Sequence, residues 1–282
     1  MEEGTYLIIG IIILLAIAFF SSEDITFVEK VLPESPNITF SDEPININVT
    51  GAISIANWNL QIFGPTKASD PILMNKYVNI LNDYDIIFVQ EIRDATGEAW
   101  NDLCDLMPAY SCDISSRAGR STSKEQYGIM YKKSINLTTI TDYNPDPYDR
   151  WERPPIMARF NYEGYEFDVY NIHVKPDDAA SEIFDLYYFI SGAGNTIVMG
   201  DLNADCDYYN NDIWVEFDDW HWLIKDYDDT TVSDSTNCAY DRIIISDGIQ
   251  KELYSFGIQS EGITSEMSDH YIVWLEVDPH EK

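Results

Sequence analysis

Eight short runs rich in apolar and β-forming residues recur between residues 53 and 277, and polar groups stand at their ends. They are "ISIANW" (53–58), "IIFVQ" (86–90), "YGIMY" (127–131), "PIMARF" (155–160), "EFDVYNI" (166–172), "TIVMG" (196–200), "DRIIIS" (241–246) and "YIVWLEV" (271–277). Runs of this length and composition read as strands. Between the first two lies a helix with visible start signals: Asp70 as N-cap, Pro71 at the first position, then Ile72, Leu73, Tyr77, Ile80 and Leu81 near the helical period. Residues 98–106 and 177–189 are further expected helices. No internal repeat or low-complexity tract interrupts the alternation, which predicts α/β layers, sheets packed on each other with helices outside.

The strand ends carry the chemistry. Asn59 follows the first strand, Glu91 ends the second and Glu125 precedes the third; His173 ends the fifth. Asp201 and Asn203 end the sixth, Asp241 opens the seventh, and Asp269 and His270 precede the eighth. Each has a plain alternative as turn former, cap or strand-end histidine, and Gly-Asp-Leu-Asn is ordinary turn chemistry. If the ends share one rim, however, they form a single cleft suited to phosphodiester hydrolysis. Carboxylates such as Glu91 and Asp269 suit a hard divalent cation, an imidazole held by a carboxylate can deprotonate water, and amide donors meet the developing phosphorane charge.

With 282 residues, 45% hydrophobic and 13% aromatic, the chain can bury a full core. Seventeen Lys and Arg face 49 acidic residues, a formal charge of −32. Such a surface repels nucleic acid at long range unless salt or bound cations screen it, and it suits a saline or calcium-rich medium. Arg117, Arg120, Lys124, Lys132 and Lys133 form a local basic island with one acid, Glu125, among them. Residues 6–20 are uncharged, long enough for a signal-peptide core and short for a membrane span of ~20 residues. We read 1–22 as a signal peptide or membrane anchor, 23–50, with Pro33, Pro36 and Pro44, as a tether or edge segment, and 51–279 as the folded domain. Four cysteines fit an oxidising compartment and allow three pairings, and the absence of Cys-x-x-Cys argues against a zinc or thioredoxin-type site. Asn37, Asn48 and Asn136 open glycosylation sequons.

The stretches "ANWNLQIFGPTK", "YDIIFVQEIRD", "GRSTSKEQY", "ERPP", "NIHVKP", "MGDLNADCDY", "DTTVSDSTNCAYDRI" and "SDHY" cover most of residues 51–277. On them the chain resembles the endonuclease/exonuclease/phosphatase superfamily, and within it the deoxyribonuclease I-like enzymes. "GDLNADC" and "STNCAYDRI" are specific to the latter, whereas "SDH" and "QE" are common to the superfamily. The resemblance implies an α/β (α+β) four-layer sandwich, two packed and mostly antiparallel β-sheets flanked by helices. It also implies a catalytic Asp201, a phosphate-binding Asn203, Glu91 holding Mg2+ or Mn2+ with Asp269 nearby, and Asn59 orienting metal or phosphate. Glu125 would pair with His173 and Asp241 with His270. Arg153 would contact a phosphate, Arg93 would reach toward the minor groove, and structural Ca2+ would sit near Asp229, Thr231 and Thr236. Cys206 would be joined to Cys238, and Cys104 with Cys112 is the second pair we expect.

Three departures accompany the match. Gln61 and Ser123 stand where the family has an arginine and a minor-groove tyrosine; the small disulfide loop before "ERPP" lacks its cysteines; and Pro154 replaces an acidic calcium ligand, so a second calcium site would rely on Asp146 and Asp149. The expected protein is an exported, monomeric, metal-dependent endonuclease, secreted or held at the cell surface. It would cut DNA with low sequence specificity and touch membrane only through residues 6–20. The rivals are a phosphodiesterase or phosphatase acting on lipid or small phosphorylated substrates, and a non-catalytic calcium-binding surface protein.

Overall fold

The computed structural model describes residues 51–280 apart from 191–193, 211, 212 and 214, so the readings for residues 1–22 and 23–50 fall outside it. In chain order the first half contains β1 (Ile53–Phe63), α1 (Pro65–Ala68), α2 (Pro71–Leu81), β2 (Ile86–Ile92), α3 (Glu98–Asp105), β3 (Tyr110–Ile114) and β4 (Gln126–Lys132). There follow β5 (Asn136–Asp142), β6 (Ile156–Tyr162), β7 (Tyr165–Asn171), α4 (Ala179–Ile190), β8 (Thr196–Asp201), β9 (His221–Trp222) and β10 (Asp241–Ile245). The chain closes with α5 (Asp247–Gln250), β11 (Leu253–Gln259) and β12 (Ile272–Val277).

These strands form two six-stranded sheets, ordered β11-β12-β1-β2-β4-β3 and β5-β6-β7-β8-β10-β9. Each sheet contains a single parallel pair, β1 with β2 and β7 with β8, and its other pairings are antiparallel. Between the sheets lies one core, with Phe88, Ile129, Phe160 and Val169 in it. A second cluster, around Trp58, Tyr77, Leu81 and Trp100, joins α2 and α3 to the outer face of the first sheet, and a third, around Trp151, Ile183, Leu186 and Phe217, seats α4 on the second. The result is the four-layer sandwich expected.

All eight apolar runs are strands, and all eight occupy inner positions of their sheets. The four strands that sequence reading missed, β3, β5, β9 and β11, are the four sheet edges. An inner strand is covered on both faces and reads as a continuous apolar run. The edges are half exposed, as β5 is along most of "NLTTITD", and lose that signal. Helix α2 begins as read: the Asp70 side chain accepts from the amides of Ile72 and Leu73 at 2.9 and 3.1 Å, with Pro71 at its first position. Its buried face differs by one residue. Ile72 is 70% exposed, and Met74 fills the core instead.

The topology brings the strand ends to one rim. Parallel strands β1 and β2, then β7 and β8, finish on the same side, where their antiparallel neighbours β4, β10 and β12 begin. Beneath that rim a buried amide chain fastens the sheets together. Asn171 donates to the Asn57 side chain at 2.7 Å, Gln90 donates to the carbonyl of Ile172 at 2.6 Å, and the amide of Asp201 donates to Gln90 Oε1 at 2.9 Å. Gly200, at φ +151, permits this approach, since a Cβ there would lie 2.0 Å from the Ile172 oxygen.

Candidate active site

The ladder between β1 and β2 pairs Asn59 with Gln90 and then Phe63 with Ile92, so three residues of β1 bulge out opposite Glu91. Gln61, Ile62 and Glu91 all adopt positive φ, near 45°, 56° and 61°. Non-glycine residues are strained there, and such strain persists where surrounding contacts over-determine it. Here the contacts are specific. The Ile62 amide donates to Glu91 Oε2 at 2.8 Å, the Gln61 amide donates to Asn59 Oδ1 at 2.9 Å, and Lys67 Nζ donates to the carbonyls of Leu60 and Gln61. Burial draws the Lys67 ammonium down to about 8, against the pull of Asp269 and Glu91.

Two carboxylate and imidazole couples face each other across the sheets. Glu125 Oε1 lies 2.5 Å from His173 Nδ1, and Asp241 Oδ2 lies 2.7 Å from His270 Nδ1. Each couple joins one sheet to the other, because Glu125 and His270 border strands of the first sheet whereas His173 and Asp241 belong to the second. The remaining ring nitrogens converge on one atom: Asp201 Oδ2 is 3.4 Å from His173 Nε2 and 3.5 Å from His270 Nε2, and it accepts from Asn59 Nδ2 at 3.1 Å.

Burial pushes the Glu125 carboxyl up, but His173, Arg153 and Arg93 outweigh it and hold the group at about 2. For His173, burial favours the neutral ring and Glu125 overrules it, leaving the imidazole above its ordinary range. Burial likewise lifts Asp241, while Asp241 and Asp201 together raise His270 against its own desolvation. Within each couple the shared proton belongs on the imidazole Nδ1, with the carboxylate an anion that orients the ring.

The other expected residues are placed as follows. Arg93 lies 2.9 Å from Glu91 Oε2 and 3.4 Å from Glu125 Oε2, and donates to Ser123 Oγ at 3.1 Å. Arg153 reaches Glu125 at 3.0 Å and donates to the carbonyls of His173 and Val174. Asn203, buried at φ 48°, donates through its side chain to the Val174 carbonyl. Glu91, Glu125 and His173 offer ligand atoms within 4.8 Å of one another. Asp269, more exposed, comes within 3.7 Å of His270 Nε2. Next to His270, to which Thr231 is bridged, the Asp229 carboxylate accepts from the amide and hydroxyl of Thr231, which also donates to the Thr236 carbonyl. Both expected cysteine pairs are bonded, Cys104 with Cys112 and Cys206 with Cys238.

One expectation fails. Lys132 and Lys133 lie at the end of β4 away from the rim, against Asp85 and the Pro108 carbonyl, because β4 runs antiparallel to β2. The basic island is therefore split, leaving Arg117, Arg120 and Lys124 on the rim side. Near them, the Asp146 carboxylate is paired with Arg150 at 2.8 Å, and Arg120 pairs with Asp149 at 3.0 Å and with Glu152 at 3.3 Å. Sequence reading also missed Gln90, whose signal was a lone amide inside an apolar strand.

A model of the Endonuclease/Exonuclease/phosphatase family matches residues 56–270. Human Deoxyribonuclease-1 is 33% identical over 261 residues, covering 79% of this chain and 92% of that protein. Mouse Deoxyribonuclease-1-like 2 is 34% identical over 214 residues, covering 69% and 77%. Among solved structures, D. rerio TDP2 complexed with single strand DNA product superposes with a TM-score of 0.57 at 14% identity, covering 80% of this chain and 98% of that one. The Bacteroides thetaiotaomicron mannosyl-6-phosphatase Bt3783 does so at 0.54 and 17%, covering 79% and 98%. With its family match, its Deoxyribonuclease-1 relatives and its sandwich in agreement, the chain belongs to the endonuclease/exonuclease/phosphatase family as a deoxyribonuclease I-like phosphodiester hydrolase.

Proposed function

We propose that this protein is an exported endonuclease that hydrolyses DNA phosphodiester bonds with the help of a divalent cation and with little sequence preference. The observation that carries the reading is the convergence of both free imidazole nitrogens on Asp201 Oδ2, at 3.4 and 3.5 Å. In-line hydrolysis needs a base on the water side of phosphorus and an acid on the leaving-oxygen side, and two carboxylate-held imidazoles meet that need. His173 with Glu125 and His270 with Asp241 fill these two roles, and Asp201 and Asn59 orient the groups between them. Asn203 and Arg153 hold phosphate oxygens. Arg93 reaches toward the groove, and contacts to phosphate carry no sequence information.

Mg2+ or Mn2+ fits this set because hard carboxylate oxygens crowd one place: Glu91 and Glu125 share it with His173, and Asp269 stands beside His270. When bound, such a cation neutralises developing charge on the phosphoryl oxygens. Glu91 would hold it with Asp269 nearby. Structural Ca2+ is proposed near Asp229, Thr231 and Thr236, where carboxylate and carbonyl oxygens converge. Export is supported by the uncharged residues 6–20 and by two disulfides, and within this reading the protein is a secreted or surface-held monomer acting on extracellular DNA.

The test is plasmid nicking with and without EDTA, run beside hydrolysis of small phosphate esters and phosphorylated lipid. His173→Ala and His270→Ala should each lower turnover by ~10²-fold or more while the protein stays folded. Near-normal nicking by both folded variants would sink the assignment, and preference for the small esters would favour the phosphatase reading.

A further inference from the structure

The two sheets have matching architectures, and the match extends to a feature that no strand-end motif contains. β12 borders β1 as β6 borders β7, and a crossover leads from β1 to β2 as another leads from β7 to β8. Each crossover carries one charged side chain that turns back under the rim. From α1, Lys67 Nζ donates to the carbonyls of Leu60 at 2.7 Å, Gln61 at 2.6 Å and Met267 at 2.8 Å. From α4, the buried Glu182 carboxylate accepts from the amides of Glu152 at 2.7 Å and Lys175 at 3.1 Å, and its own carbonyl accepts from Trp151 Nε1 at 2.9 Å.

We propose that Lys67 and Glu182 are a pair of opposite-charge clamps, positioning residues that fix the two halves of the catalytic set. This rests on the nuclease reading given above. Each clamp joins the exit of a parallel strand to the loop before its antiparallel neighbour. Lys67 ties the bulge after Asn59 to the segment running into Asp269 and His270, and Glu182 ties the segment after His173 to the one entering Arg153. The sign of each charge matches what it must satisfy. The bulged residues of β1 leave the ladder with carbonyls free, which call for a cation; the loops at Glu152 and Lys175 present free amides, which call for an anion. Lys67 gives three donors to backbone carbonyls and the Glu182 carboxylate takes two backbone amides, so their effect passes through the groups they hold. Displacement of such groups by about 1 Å costs on the order of 10²-fold in rate.

The experiment uses the full chain and the mild variants Lys67→Gln and Glu182→Gln, with Lys67→Met and Glu182→Ala beside them where these fold. Turnover on plasmid DNA should fall at least ~10-fold while KM stays within ~3-fold, the pattern of a lost transition-state contact. Imidazole signals in 15N-histidine spectra supply a readout independent of activity, since the chain has four histidines to assign. Glu182→Gln should shift the His173 ring and spare His270; Lys67→Gln should do the reverse. Folded variants with wild-type turnover would overturn the proposal. So would lost turnover with neither ring moved, or with both rings moved alike. Should the wild-type protein fail to nick DNA, the nuclease reading falls, and the ring shifts still decide whether the clamps exist.

Discussion

Glu125 sits 3% exposed among three cationic partners, His173 at 2.5 Å, Arg153 at 3.0 Å and Arg93 at 3.4 Å. Its carboxyl is held at about 2 in the fold against 4.5 in an unperturbed chain. A depressed carboxylate stabilises the fold above its unfolded value and loses that contribution as pH falls through the folded one. In EDTA, the stability gap between the wild-type protein and Glu125→Gln should therefore be widest near neutrality, up to about 3 kcal/mol, and close between about pH 4.5 and 2. Urea unfolding at pH 7, 4 and 3 measures it, and an unchanged gap at pH 3 would refute the charge pairing. At this scale the sequence was legible in part. Residue types and their order along the chain pointed to Glu125, His173, Asp201, Asp241 and His270, because reactive groups were written at strand ends. That Arg120 and Arg150 occupy Asp149 and Asp146 was not legible, since nothing in a sequence states which of several nearby arginines folds onto a carboxylate.

Elements were legible in proportion to how deeply they are buried. β1 and β8 are covered almost throughout and read as strands, whereas β5 and β11 contain no fully buried residue and lack a continuous apolar run. The helix start at Asp70 was legible because capping is local chemistry, and the Ile72 error arose from counting an apolar first-turn residue that points away from Tyr77, whereas Met74, three residues before Tyr77, shares its face. The disulfides add constraints at the same scale. Cys206 and Cys238 are 32 residues apart and tie the turn after β8 to the start of β10, whereas Cys104 and Cys112 are 8 apart. Chain-entropy estimates give about 3–4 kcal/mol for the larger loop and about 2–3 kcal/mol for the smaller. Replacing both cysteines of each pair by serine should thus lower the urea midpoint more for the Cys206 pair. The opposite order would show that native contacts, rather than loop closure, set their value.

For the whole molecule the dominant fact is a charge of −32 on an enzyme whose proposed substrate is a polyanion. The Debye length shrinks from about 30 Å at 0.01 M to about 10 Å at 0.1 M, so salt screens the distant acidic surface before it weakens contacts at the rim. KM for plasmid DNA should fall or stay flat over that range, where a basic DNA-binding protein would lose affinity steeply. A steep rise in KM from the lowest salt would show that the rim cations outweigh the surface. The two sheets also differ in how they are threaded: the second is one continuous passage from β5 to β10, whereas the first takes four strands before that passage and two after it. Chains emerge from the ribosome amino end first. During synthesis β1 therefore waits with a bare edge until β12 arrives, and Asp241 has no His270 until nearly all of the domain has been made. Half-made chains can pair Glu125 with His173 but leave Asp241 without its imidazole, so the rim is completed only when the segment bearing His270 has been made.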